Sequence, residues 1–81
     1  MRIVKELYIQ PCKITIYSWN NRYLIKLEEG LLEQTFKIDQ SEIVDENDLL
    51  KILDGQFVQQ ALNRFEEMRS SFASALSRFE Q

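Results

Sequence analysis

The chain has 81 residues, 44% hydrophobic and 28% charged, with a formal net charge of −3. That is the composition of one small globular domain, and no apolar run approaches the ~18 residues that span a bilayer. With no His and only Cys12 as a thiol, zinc sites, internal disulfides and a His-activated nucleophile are excluded.

Glycine-built phosphate loops are excluded as well, because Gly30 and Gly55, the two glycines, stand far apart. The acids Asp45, Glu46 and Asp48 lack the Asp/Asn–Gly spacing of a calcium loop. The expectation is therefore no metal, no cofactor and no enzymatic activity, carboxylate chemistry being the one enzymatic route left open. Cys12 reads as a small buried apolar side chain. Arg2, Lys5, Glu6, Gln10 and Lys13 interrupt any signal-peptide core in residues 1–15, and a lone Cys fits a reducing compartment. The expected location is the cytoplasm. Charge is uneven: residues 1–40 hold six cations against five anions, and residues 41–81 hold four against eight. An acidic second half argues against duplex DNA as a partner.

Strands are expected near 2–9, 12–19, 22–28 and 31–38, where β-branched, aromatic and aliphatic residues concentrate. Turn signals fall at Gln10-Pro11, Asn20-Asn21 and Glu29-Gly30, and Asn-Asn suits the positive φ of a type I′ hairpin turn. Two-residue loops place Ile3, Leu7, Ile9, Cys12, Ile14, Ile16, Tyr23, Ile25, Leu27, Leu32, Phe36 and Ile38 on one core face. A three-residue loop with a bulge at Gly30 is the alternative for the third turn, and it exposes Leu32, Phe36 and Ile38.

The opposite face then carries the rows Arg2–Trp19–Arg22–Lys37, Val4–Tyr17–Leu24–Thr35, Glu6–Thr15–Lys26–Glu33 and Tyr8–Lys13–Glu28–Leu31. The first row opposes Arg22 to Lys37 beside Trp19, an arrangement that needs an anion or an aromatic ring to relieve it. Arg2, Tyr17, Trp19, Arg22, Leu24 and Lys37 thus form a candidate binding patch. Within the chain, relief comes from cation–π stacking on Trp19 and from acids of 42–48 folding over the rest. From outside, it comes from an acidic protein segment, or from single-stranded nucleic acid stacked on Trp19 and Tyr17. The overall acidity favours protein.

After residue 40 the period changes. Asp45 and Asp48 mark a short helix over about 46–54 that buries Leu49, Leu50, Ile52 and Leu53 and stops at Gly55. From Phe57 to Glu80, apolar residues at three- and four-residue spacing predict a long amphipathic helix. Such a helix is ~36 Å long against ~26 Å for an eight-residue strand. It either lies diagonally on the sheet or overhangs it, leaving Phe72, Leu76 and Phe79 in search of a partner. Val58, Phe65, Phe72 and Phe79 also recur at heptad spacing. Phe65, Met68, Phe72, Leu76 and Phe79 are the candidate oligomer interface.

The stretches KITIYSWNNRYLIKLEEGLLEQTFKI and ALNRFEEMR resemble small uncharacterised bacterial proteins, a resemblance that covers most of the chain and implies no function. Four antiparallel strands followed by a helix is also the element order of some single-stranded nucleic-acid-binding domains that dimerise through the helix. That likeness is one of order alone and transfers no residue. The sequence therefore predicts an α+β fold: a four-stranded antiparallel meander over 1–40, then a short helix and a long amphipathic helix over 45–81, packed on one sheet face within a single domain. The expected role is a non-enzymatic binding or assembly module, homodimeric, acting through protein–protein contacts. An acidic protein segment or single-stranded nucleic acid is the alternative partner, and no membrane is involved.

Overall fold

Period-two apolar patterning produces four eight-residue strands, β1 (Arg2–Ile9), β2 (Cys12–Trp19), β3 (Arg22–Glu29) and β4 (Leu32–Asp39). They form one antiparallel sheet in the order β1-β2-β3-β4. A short helix, α1 (Leu49–Ile52), and a long one, α2 (Gly55–Phe79), follow and complete an α+β arrangement. The computed structural model describes residues 1–79. The expected extension of the long helix to Glu80 lies outside the described residues.

The Asn20-Asn21 turn has both residues at positive φ, 52° and 62°, as a type I′ hairpin requires. The third turn differs from expectation by one residue. Its loop is Gly30-Leu31 rather than Glu29-Gly30, and it closes on the pair Glu29↔Leu32. The reason is conformational. The favoured two-residue turns need φ > 0 at their first loop position, and here Gly30 takes it at +59°, where Glu29 would be strained. The β3–β4 register therefore shifts by two residues, which keeps every side chain on its expected face.

A second correction lies in β1. Its pairing with β2 shifts by one residue between Ile3 and Lys5, forming a bulge at Val4. A one-residue shift exchanges faces. Ile3, expected in the core, lies on the opposite face at 55% exposure, and Val4 packs against the core instead.

Cys12, Ile14, Ile16, Tyr23, Ile25 and Leu27 of the central strands are buried together with Leu49, Leu53, Ala61 and Phe65 of the helical part. The segment expected as one helix over 46–54 is instead a 3₁₀ turn at Glu46–Asp48, the single turn α1, and a break. Leu50, expected inside, is exposed. Gly55 begins α2 rather than ending α1. Asp54 caps α2, its Oδ1 accepting the Phe57 N–H at 2.8 Å, which satisfies one of the orphan donors of the first turn. Gln34 faces α2 from β4, where its amide donates to the Ala61 carbonyl and its oxygen accepts from Arg64 Nε, both at 2.9 Å.

Candidate functional site

With 25 residues, α2 is ~37 Å long, against ~26 Å for a strand. Phe57 meets Phe36 edge-on at the start of the helix, and Arg69 binds Glu29 near the Gly30 turn. Beyond Met68 no residue of α2 is buried, and every described residue from 69 onward is exposed. The helix overhangs. Phe72, Leu76 and Phe79 are 59%, 44% and 85% exposed, on a stretch of helix otherwise made of Ser, Ala and the single Arg78. Below the overhang lies a groove of 640 Å³, with Pro11, Leu31 and Leu32 on the sheet side and Phe72, Ala73 and Leu76 on the helix side. Of the five residues expected at an oligomer interface, Phe65 is fully buried in the chain's own core and Met68 packs against that core. Phe72, Leu76 and Phe79 are exposed.

The sheet face opposite the helices carries the rows Trp19–Arg22–Asp39, Ile3–Tyr17–Leu24–Lys37, Glu6–Thr15–Lys26–Thr35 and Tyr8–Lys13–Glu28–Glu33. The basic patch expected around Trp19 is only partly assembled. The bulge carries Arg2 to the other face, where Nη2 meets Glu46 Oε1 at 2.6 Å. The shifted β4 register puts Asp39, not Lys37, opposite Arg22, and the two form an ion pair at 3.2 Å. Lys37 stands opposite Leu24. Trp19, Tyr17, Arg22, Leu24 and Lys37 remain neighbours, with Trp19 48% exposed. Charge on the whole face balances: Lys13, Arg22, Lys26 and Lys37 against Glu6, Glu28, Glu33 and Asp39.

Carboxylates converge on this face where Glu28 opposes Glu33. Lys26 lies between them, 3.9 Å from Glu28 and 3.4 Å from Glu33. The two carboxylates, Glu28 foremost, hold the Lys26 ammonium above its ordinary range. On the helix side, burial foremost and then Glu29 push the Cys12 thiol up, away from the thiolate that a nucleophile requires. Among the described residues, no group of three His, Cys, Asp or Glu side chains is arranged to hold a metal ion, and no helix is long and apolar enough to cross a membrane.

The sequence does not single out Asp54 as a cap, whereas Glu46 belongs to the 42–48 acids expected to relieve the cations and pairs with Arg2. Asp54-Gly55 reads as a helix stop because Gly favours C′, and only the helical run from residue 55 reveals Asp54 as a cap. No family model, curated protein or solved structure matches the chain.

Proposed function

We propose that the chain is a non-enzymatic assembly module that self-associates through the overhanging end of α2. The carrying observation is the exposed Phe72/Leu76/Phe79 stripe above an apolar groove. Exposed apolar surface of this kind is costly in water and favours burial against a partner. A second copy fits best. Its own overhang presents the same apolar stripe, flanked by Ser71 and Ala75, which are small enough for two helices to approach closely. Arg78 is the sole charged residue in 70–79, so little charge must be desolvated when two overhangs meet.

Non-enzymatic action is supported by the carboxylates, which are engaged in ion pairs with Arg2, Arg22, Lys26 and Arg69. The reading in which single-stranded nucleic acid stacks on Trp19 has less support, because Arg2 has left that face and Arg22 is paired with Asp39. Sedimentation velocity tests the proposal: the wild type sediments above monomer mass at tens of micromolar, and Phe72→Asp lowers that mass by placing a carboxylate in an apolar contact. A strictly monomeric wild type removes the proposal.

A further inference from the structure

We propose that β4 is a second, separate contact, which pairs antiparallel with β4 of another copy around a two-fold axis at Thr35. The sheet has two edges, β1 and β4. The bulge at Val4 breaks the regular edge of β1, a common device against edge pairing. β4 runs eight residues opposite β3 with no bulge, Pro or Gly. Because the pair Glu29↔Leu32 closes a two-residue loop, Leu32, Gln34, Phe36 and Ile38 direct their backbone groups toward β3. Glu33, Thr35 and Lys37 direct theirs outward. Among the described residues, no backbone bond from another segment reaches these outward groups. A groove of 460 Å³ runs beside them, between Thr35 and Phe36 on the strand and Arg64, Glu67 and Met68 on α2.

The side chains say what fits this edge. Glu33 and Lys37 each stand two residues from Thr35, so an antiparallel copy centred on Thr35 sets each Glu33 against the other chain's Lys37. Thr35 meets Thr35. Opposite-charge and Thr–Thr pairs are both favourable across strands. Other registers that keep outward groups facing each other do worse. A slide of two residues one way opposes Glu33 to Asp39; the other way, it opposes Glu33 to Thr35 and carries Lys37 past the strand end. The contact uses the same patch on both copies, so it closes after two chains. The result is a continuous eight-stranded sheet whose outer edges are the two bulged β1 strands.

This contact goes beyond the overhang contact and stands or falls apart from it. The chain carrying Phe72→Asp and Leu76→Asp, with the overhang contact removed, isolates it. That variant is expected to remain dimeric by sedimentation at tens of micromolar. Adding Lys37→Glu opposes two carboxylates at each end of the pairing and weakens the dimer about tenfold or more, and adding Glu33→Lys as well restores it. In the otherwise wild-type chain, Thr35→Cys is expected to cross-link to a covalent dimer under mild oxidation, whereas Tyr8→Cys on the bulged edge is not. A monomeric Phe72→Asp/Leu76→Asp chain, or a dimer indifferent to Lys37→Glu, overturns the β4 contact. The overhang contact fails on a different result, namely wild type and Phe72→Asp/Leu76→Asp sedimenting alike.

Discussion

Arg22 Nε and Asp39 Oδ1 lie 3.2 Å apart at the Trp19 end of the sheet, directly opposite one another in the β3–β4 register. A repulsive cation pair beside an exposed indole is thereby replaced by a neutral one. The face around Trp19 is left aromatic and apolar, with Lys37 at its rim.

A single-stranded oligonucleotide is accordingly expected to leave Trp19 emission unchanged at physiological salt. Acrylamide is expected to quench it, because Trp19 is half exposed. Base-dependent quenching that falls steeply with salt would revive the nucleic-acid reading.

The two glycines respond oppositely to the same substitution. A Cβ meets no atom within 4 Å at either, but only Gly30 has a positive φ. Gly30→Ala is expected to lower stability by about 1 kcal/mol through left-handed strain alone. Gly55→Ala, at the start of α2, is expected to raise it by about 0.5 kcal/mol. Urea midpoints measure both.

Phe65 and Phe72 sit two turns apart on α2 and separate folding from assembly. Phe65 is fully buried, so Phe65→Ala is expected to cost about 3–5 kcal/mol in urea unfolding. Phe72→Ala is expected to change the unfolding of dilute protein by less than about 1 kcal/mol while reducing association. Equal losses from the two would place Phe72 in the fold rather than in an interface.

Removing the α2 cap with Asp54→Ala is expected to cost about 1 kcal/mol, since the Phe57 N–H loses its 2.8 Å acceptor. Asp54→Asn retains an acceptor oxygen and is expected to keep most of the stability.

Alkaline conditions act on three groups in one direction. Cys12 and Tyr23 are acids raised above 9.0 and 10.0, each chiefly by burial, with Glu29 adding to the first and Glu46 to the second. Unfolded, they lose protons earlier than when folded, so stability declines as pH rises past those values. Lys26, raised above 10.5 by Glu28 and Glu33, contributes stability that is complete below 10.5 and is lost as pH climbs through its folded value. Urea midpoints are expected to be left level by these groups between pH 7 and 8 and lowered above 9. Tyr23→Phe and Lys26→Met each reduce the decline.

Much of the architecture was legible because apolar residues recur at every second position in β2 and β3, where Cys12, Ile14 and Ile16 and then Tyr23, Ile25 and Leu27 all turn inward. Register was less so. Glu29-Gly30 and Gly30-Leu31 loops both keep Leu32, Phe36 and Ile38 inside, so hydrophobic pattern alone cannot choose between them. The positive φ demanded of the first loop residue does choose. In β1, Ile3 and Val4 are interchangeable by composition, and the bulge that decides between them also decides where Arg2 goes. The expected patch depends on those two points, and each changes a cation's partner. The overhang was open to plain arithmetic, because helix and strand lengths differ whatever the register.

That difference in length gives the two halves of α2 different clocks. Amides near Phe65 are released to solvent only when the whole fold opens, because their helix surface is sealed against the sheet. Amides of residues 70–79 belong to turns whose residues are all exposed, so a lone molecule opens them by fraying, far more often than it unfolds. Hydrogen exchange in those last turns therefore measures association, slowing as protein concentration rises, while exchange near Phe65 holds to the rate set by folding.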